Sequence, residues 1–189
     1  MEQQAGGKVE FVNHKMEIFD KKGCTVWFKH KLAAPIVIEY DATVIDKEGP
    51  FDRVSDLNCF WMANDPKSPN DFFKQSKKRA GVFKSYHELT LYYVGLGGHD
   101  NTKTRFRKYD GNPDRPLLKE HDLSDKEYLI VPNVKNHIVI TVNENDVSYQ
   151  RNNQVVFSLQ DKTPYLEGYF GFRSVENHVL IENFRIRKP

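Results

Sequence analysis

The segment 92–111 carries the residue types in this chain that are best suited to chemistry. Its sequence, YYVGLGGHDNTKTRFRKYDG, combines aromatic rings, glycines, a histidine, arginines and aspartates. A phosphate-binding loop would lead from its glycines into a helix, with Lys and then Ser or Thr close behind. Here GLGGHDNT leads into KTRFRKY, whose residues alternate as in a strand. The G-x-G-x-x-G dinucleotide fingerprint and its helix are also missing, so the sequence argues against both nucleotide sites.

The same segment instead predicts a β-hairpin. One strand covers 88–96, a glycine-rich turn follows, and a second strand covers 103–109. Gly97 and Gly98 permit backbone angles that are closed to other residues. Because side chains alternate along a strand, Phe106 points into the core, and the opposite face carries Arg105, Arg107 and Tyr109. By the same rule, Tyr92 lies on the opposite face from Tyr93.

A later strand repeats this combination of arginine and tyrosine. In EGYFGFRS, residues 167–174, Phe170 and Phe172 share the core side, whereas Tyr169 and Arg173 share the other. Two explanations stay open. The arginines are solvated on an exposed sheet, or they form a groove floor in which guanidinium groups bind carboxylates or hydroxyls and aromatic rings stack on sugars.

A third group of candidate residues lies where the segment 54–64, VSDLNCFWMAN, runs into a loop containing proline. Trp61 is interpreted either as a core residue or as a platform for a ligand. Asn64 and Asp65 stand at the strand end, where a rigid scaffold commonly positions groups that bind hydroxyls. We therefore include all three as candidate binding residues.

The elements that must position these residues are short strands. Period-two alternation recurs in the segments 36–46, 137–143, 147–159, 168–174 and 179–187. RNNQ at 151–154 predicts a hairpin turn, because Asn tolerates positive φ. Ser124 and Glu127 form a possible capping box worth one short helical turn. The pattern predicts an all-β fold, a two-sheet antiparallel sandwich or jelly roll, in one domain.

Composition restricts the function further. The chain has 189 residues, 39% of them hydrophobic, and a formal charge of +2, so no basic field favours nucleic acid. The basic run KQSKKRAG at 74–81 is expected to be a solvated loop, with an anion-binding patch as the alternative. No apolar stretch is long enough to span a membrane. Cys24 and Cys59 are expected to be buried thiols, although a single disulfide stays open.

The opening MEQQAGG lacks the pattern of a signal peptide. We expect either a cytoplasmic protein or a periplasmic or extracellular one whose leader has been removed, and we favour the second. Oligomeric state is not predicted.

Several motifs resemble the concanavalin A-like lectin/glucanase superfamily, and within it a poorly characterised bacterial family encoded among polysaccharide-utilisation genes. They are FWMANDP, the segment 92–111, PLLKEHDL and the terminal GYFGFRSVENHVLIENFRIRKP. The likeness spans residues 15–188. It implies a single jelly-roll domain over 15–189, preceded by an N-terminal extension over 1–14. It also implies a concave sheet that holds an oligo- or polysaccharide.

The resemblance leaves the chemistry open among three classes. Retaining glucanases of the superfamily carry Glu-x-Asp-x-x-Glu on one strand; here Glu39 and Asp41 match, but Val44 replaces the second catalytic carboxylate. Jelly-roll uronate lyases use an Arg-rich strand, a Gln-x-His strand and a Tyr; TRFRKY matches, whereas the Gln-x-His strand is missing. The third class comprises less-studied lyases or hydrolases. We favour a lyase over a hydrolase, with a non-catalytic glycan-binding module as the alternative and a protein-interaction sandwich as a third.

Lyase chemistry assigns roles to the candidate residues. Arg105 and Arg107 would neutralise a uronate carboxylate, with help from Asn101. His99 would be the base, unless it is only a turn residue, and Tyr92 or Tyr109 the acid. We therefore predict three catalytic residues, His99, Arg107 and Tyr92. We predict substrate binding by Trp61, Asn64, Asp65, Asn101, Arg105, Tyr109, Tyr169 and Arg173.

No cofactor is predicted. The other histidines show no metal-binding spacing. A structural calcium ion is common in the superfamily, but no loop here has a recognisable series of oxygen ligands.

Overall fold

The computed structural model describes all residues 1–189 as two antiparallel sheets. The strands are, in chain order, β1 (Glu2–Gln3), β2 (Lys8–Val12), β3 (Lys15–Phe19), β4 (Cys24–Trp27), β5 (Leu32–Ala33), β6 (Ile36–Val44), β7 (Leu57–Asn64), β8 (Thr90–Gly97), β9 (Lys103–Asp110), β10 (Asp122–Leu123), β11 (Asn136–Val142), β12 (Asp146–Arg151), β13 (Gln154–Gln160), β14 (Glu167–Ser174) and β15 (His178–Arg187). Single helical turns occupy Phe72–Gln75, Ser76–Arg79, Phe83–Tyr86, Gly98–Asn101, Lys119–His121 and Lys126–Tyr128. The all-β two-sheet prediction is confirmed.

The strands divide into an eight-stranded and a seven-stranded sheet. The first has the order β1-β4-β14-β7-β8-β9-β10, with β5 paired to β14. The second has the order β13-β12-β11-β6-β15-β3-β2. Alternate side chains of both sheets meet in one core of 28 buried residues, which includes Ile38, Trp61 and Phe170. The period-two alternation therefore gives each strand one face for this core.

The predicted hairpins are present. Asn152 and Asn153 join β12 to β13 with φ of 52° and 66°, the positive angles expected of that turn. The predicted capping box is wrong, because the turn Lys126–Tyr128 begins after Asp125 and has no side-chain cap hydrogen bond.

A long connection covers much of the outer face of the eight-stranded sheet. We call residues 65–89, between β7 and β8, the cover segment. Its apolar side chains form a second cluster with the outward-facing residues of the sheet, made of Trp27, Phe60, Ala63, Phe72, Tyr86, Leu89, Leu91, Tyr93 and Tyr109. The basic run at 74–81 belongs to this segment, and its Arg79 is buried rather than solvated.

The N-terminal residues hold the cover segment in place. The Arg79 guanidinium pairs with Glu2 at 2.8 Å and with Asp65 at 3.1 Å, and the Tyr86 hydroxyl donates to Glu2. In addition, β1 pairs with β4 and β2 pairs with β3. Residues 1–14, predicted to be an N-terminal extension, therefore supply one strand to each sheet.

Cys24 and Cys59 are both buried and free. Burial raises the pKa of each thiol to about 12, so both stay protonated at neutral pH. No helix in the structure is long and apolar enough to cross a membrane.

Candidate functional site

The cover segment leaves one end of the outer sheet face open as a pocket of about 350 Å³. Strands β7, β8 and β9 form its floor, and the loops 97–102 and 111–118 and the cover segment form its walls. The lining residues are Asp56, Asn58, Phe83, Tyr93, Gly95, Gly98, His99, Lys103, Arg105, Arg107, Arg115 and Val175. The pocket is therefore polar and mostly cationic, with an aromatic wall.

The β8–β9 hairpin places the floor residues. In its register Tyr93 lies opposite Arg107, and Gly95 lies opposite Arg105 and next to Asn58 of β7. A Cβ on Gly95 would lie 2.4 Å from the Tyr93 hydroxyl oxygen. Glycine at this position therefore leaves room for the Tyr93 ring on the floor of the pocket.

Arg105 is held by two neighbours. Its Nε donates to Asp122 Oδ1 at 2.8 Å, and its Nη1 donates to His99 Nε2 at 2.7 Å. The hydrogen bond that Arg105 donates stabilises the Asp122 carboxylate and so lowers the pKa of that group. Because an arginine can only donate, His99 Nε2 accepts, and the ring proton of a neutral His99 sits on Nδ1.

Arg107 has no carboxylate partner. Its Nη1 donates to the backbone carbonyl of Arg115, a residue of the loop between β9 and β10. Burial lowers the pKa of Arg107, and the nearby charge of Arg115 lowers it further. The Arg115 guanidinium itself packs over Phe83 and Tyr109, with Cζ at 5.7 Å and 6.0 Å from the ring centroids.

His99 lies in a turn whose backbone angles are strained. His99, Asp100 and Asn101 all adopt left-handed angles, with φ of 54°, 55° and 57°. Such angles cost roughly 1–2 kcal/mol for a residue with a Cβ, so neighbouring contacts must hold the turn. The Asn101 amide does so by donating to the carbonyl of Ile130 at 2.9 Å and accepting from its N–H at 2.8 Å. Asn101, which the sequence predicts to bind substrate, thus anchors the loop and is not among the residues that line the pocket.

The one carboxylate that lines the pocket, Asp56, is already engaged. It accepts from the Ser55 hydroxyl, the Arg53 guanidinium and the Asn58 amide nitrogen. That last bond fixes the orientation of Asn58. Its Oδ1 is buried at the pocket floor and has no hydrogen-bond partner, so it is an unsatisfied acceptor.

Two predicted site residues face the wrong side of the sheet. Trp61 and Tyr92 are fully buried between the sheets, and their rings stack on Phe106. The Tyr92 hydroxyl donates to Asp161 at 2.6 Å, and burial raises its pKa. Neither side chain reaches the pocket, so both assignments are corrected: Tyr93, on the other face, is the tyrosine that lines it.

Three further candidates lie away from the pocket, near the opposite end of the cover segment. Asn64 Nδ2 donates to the carbonyl of Glu167 across a bulge in β7. Asp65 is buried in its ion pair with Arg79. Tyr169 stacks on Phe72 at 4.7 Å. These contacts assign structural roles to residues that the sequence predicts to bind substrate.

Tyr109 and Arg173 lie on the predicted face but beneath the surface. Tyr109 is fully buried under Arg115. Arg173 is 2% exposed, and its Nη1 donates to the Gly81 carbonyl at 2.7 Å, which ties β14 to the cover segment. Of the predicted site residues, His99, Arg105 and Arg107 therefore come together, and the other eight do not line the pocket.

Sequence reasoning missed several lining residues. Lys103 shares the alternation of Arg105 and Arg107, so the strand pattern was a sufficient signal for it. Tyr93 follows from the same alternation in the partner strand. Arg115 lies in an irregular loop and Phe83 in the cover segment, and no local pattern indicates that either reaches the floor of the sheet.

The structure contains no group of three or more His, Cys, Asp or Glu side chains that could hold a metal ion.

The comparisons with known proteins support the fold. A family model described as a domain of unknown function, DUF6250, matches residues 18–184. No functionally curated protein matches the chain. A Bacillus subtilis protein of unknown function with a galectin-like fold has a TM-score of 0.75 at 16% identity, covering 97% of this chain and 86% of its own. The carbohydrate-binding module CBM66 from Bacillus subtilis has a TM-score of 0.63 at 12% identity, covering 96% and 92%. The carbohydrate recognition domain of Emp46p has a TM-score of 0.64 at 14% identity, covering 97% and 86%. The chain is therefore a galectin-like, concanavalin A-like jelly roll.

Proposed function

The chain belongs to the DUF6250 family, and we propose that it binds a saccharide in the pocket over β7, β8 and β9. The observation that carries the proposal is the pairing of fixed polar groups with aromatic rings in one small concavity. Asn58 Oδ1 lacks a partner, Arg107 has donors that no carboxylate occupies, and Phe83 and Tyr93 supply apolar surface. Sugars need this combination, because their hydroxyls hydrogen-bond and their C–H faces pack on rings.

The similar structures add support of a weaker kind. Two of them are named as a carbohydrate-binding module and a carbohydrate recognition domain. Their identities to this chain are 12% and 14%, so the likeness extends to the fold and not to the residues of a site. The main support for a saccharide ligand is therefore the set of residues that line the pocket.

Calorimetric titration with a panel of plant and bacterial oligosaccharides tests the proposal. We expect at least one to bind, and Arg107→Gln to weaken that binding about tenfold or more by removing a charged donor. Arg187→Gln is the matched control, because Arg187 is exposed on β15 in the other sheet. Equal affinity of the Arg107 and Arg187 variants would place the ligand elsewhere, and no binding across the panel would refute the proposal.

A second candidate function is cleavage by β-elimination, favoured by the contact between His99 and Arg105 in the same pocket. His99 Nε2, the ring nitrogen without a proton, would leave its hydrogen bond from Arg105 Nη1 and take the proton from the carbon beside a uronate carboxylate while Arg107 neutralises that carboxylate. The electron pair of the broken C–H bond would form a C=C bond as the glycosidic C–O bond breaks, and the Tyr93 hydroxyl would give its proton to the leaving oxygen. Burial raises the pKa of Tyr93, so the phenol carries that proton at neutral pH.

This reaction has a direct readout, the ultraviolet absorbance of the unsaturated product. The elimination hypothesis expects that absorbance with wild-type protein and its loss in His99→Gln with ligand affinity kept within about threefold. Bound uronate that yields no unsaturated product would leave a non-catalytic binding module. We do not propose hydrolysis, because two opposed carboxylates are needed and Asp56 is the one carboxylate in the lining.

A further inference from the structure

The charges around the pocket do not balance. Four permanent cations line it, Lys103, Arg105, Arg107 and Arg115, against the single carboxylate of Asp56. Asp122, just outside, pairs with Arg105 at 2.8 Å and lies 3.8 Å from Lys103. Asp56 is itself paired with Arg53 at 3.3 Å. The two arginines without a carboxylate are therefore Arg107 and Arg115.

These two arginines are neighbours in a half-buried position. The backbone carbonyl of Arg115 accepts from Arg107, which keeps the two residues together. Water screens like charges poorly once they are partly buried, so bringing them together is unfavourable unless an anion lies nearby. The lowered pKa of Arg107, caused by burial and then by Arg115, reflects this crowding.

Buried polar atoms beside the arginines are also without partners. Arg115 Nε, the Tyr109 hydroxyl and Asn58 Oδ1 are all inaccessible to solvent and make no hydrogen bond within the chain. Tyr109 is fully buried and Asn58 is 3% exposed. Buried groups of this kind are normally satisfied, by protein, by water or by a ligand. Arg115 Nε is a donor on one of the cations, the neighbouring Tyr109 hydroxyl can donate or accept, and Asn58 Oδ1 is an acceptor on the pocket floor.

We propose that the ligand is an acidic saccharide whose carboxylate or sulfate group binds between Arg107 and Arg115. This inference rests on the proposed saccharide-binding function and adds the substrate class to it. A planar carboxylate matches the paired N–H groups of a guanidinium, and a sulfate ester offers the same oxygens. The Asn58 oxygen would accept a hydroxyl of the same or the adjoining sugar.

Matched pairs of ligands separate the contribution of the negative charge to binding from that of the sugar ring. Calorimetry would compare oligogalacturonate with its fully methyl-esterified form, which has the same ring and linkage but no charge. A second arm would compare a sulfated galactan oligosaccharide with its desulfated form. We expect the charged member of at least one pair to bind about tenfold more tightly, and the difference to shrink as salt is raised.

Substitutions test whether Arg107 and Arg115 cause the tighter binding of the charged ligand. Arg115→Gln and Arg107→Gln should each reduce the ratio of charged to uncharged affinity, whereas Lys126→Gln, an exposed residue of the turn Lys126–Tyr128, should not. Arg107→Lys keeps the charge but loses the paired donors, so it should retain part of the ratio. Circular dichroism would confirm that each variant is folded. Should Arg115→Gln be unfolded, Arg115→Lys and the salt dependence of the wild type provide the same comparison.

The possible outcomes distinguish a preference for acidic saccharides from saccharide binding in general. Equal binding of charged and uncharged members in both pairs would overturn the acidic preference and leave saccharide binding intact. No binding of any oligosaccharide would overturn both. Competition by inorganic sulfate or acetate at the same affinity as the oligosaccharides would reduce the site to a simple anion site and overturn the inference as well.

Discussion

At the scale of single residues, the shape of the pocket depends on Gly95, which has no side chain. The Tyr93 ring occupies the space where a Gly95 side chain would be, and its hydroxyl oxygen would be 2.4 Å from an added Cβ. A methyl group there cannot be accommodated without moving the ring. Since Gly95 has an ordinary extended position in β8, the effect of a substitution is steric and local.

We predict that Gly95→Ala weakens saccharide binding about tenfold, because it pushes the Tyr93 ring into the pocket. Titration against the ligand found for the wild type measures this. Val155→Ala is the control, because Val155 is exposed on β13 in the other sheet. Equal affinities of the two variants would mean that Tyr93 does not shape the binding surface.

A second feature at the residue scale is His87, whose buried surroundings favour the neutral form of its imidazole. His87 packs against Phe83 and Tyr109, and its Nε2 has no partner. Burial lowers its pKa to about 4, and the charges of Arg115, Lys84 and Arg107 act in the same direction. The ordinary value of 6.5 applies to the unfolded chain.

This shift predicts a pH dependence of stability. As pH falls from about 6.5 to about 4, the unfolded chain takes up a proton at His87 that the folded chain does not, so the stability contributed by the neutral histidine is lost across that window. His87→Gln should therefore lose less stability than the wild type between pH 7 and pH 4.5, as measured by urea denaturation. His14→Gln, which changes an exposed histidine, should behave as the wild type does. Identical slopes for all three proteins would contradict the assignment.

At the scale of elements, the cover segment decides how much of the sheet face is open. Its aromatic residues pack on the outward side chains of β7, β8 and β9, and its Phe83 forms one wall of the pocket. The buried pair of Arg79 with Glu2 fixes it to β1, and the bond from Arg173 to Gly81 fixes it to β14. Arg79 and Arg173 therefore have structural roles, whereas Arg107 lines the pocket and has no carboxylate partner.

Removing one partner of a buried ion pair leaves the other charge without compensation. We predict that Arg79→Ala lowers the free energy of unfolding by about 3–5 kcal/mol, because Glu2 and Asp65 lose their shared cation. Urea denaturation at pH 7 measures the change. Lys77→Ala, which removes an exposed lysine from the same helical turn, should change stability by less than about 0.5 kcal/mol. A loss below about 1 kcal/mol for Arg79→Ala would show that the pair does not anchor the segment.

At the scale of the whole molecule, the aromatic residues of the eight-stranded sheet belong to two clusters, one on each face of that sheet. The cluster between the sheets contains Trp61, Tyr92 and Phe106, and the outer cluster contains Tyr93 and Tyr109. The first supplies stability and the second borders the pocket. Substitutions in the two clusters should therefore have separable effects.

We predict that Trp61→Ala lowers the free energy of unfolding by about 3–5 kcal/mol, because it leaves a cavity between the sheets. Trp61→Phe should cost less and leave ligand affinity within about twofold, because the residue does not reach the pocket. Denaturation and titration of the same samples measure both quantities. A tenfold loss of affinity in a stably folded Trp61→Phe variant would return Trp61 to the binding site.

The sequence by itself determined which residues share a face. Period-two alternation is a local property of an extended chain, so the hairpin over 88–109, the opposition of Phe106 to Arg105 and Arg107, and the two-sheet class all follow from neighbouring residues. Only the tertiary structure decided which of those faces is open. Arg173 and Tyr109 lie on the predicted face but under the cover segment, and Arg115 reaches the pocket from a loop with no pattern of its own. The exposure of a side chain depends on contacts between segments that are far apart in the chain. The alternation of residues within either segment does not encode such contacts.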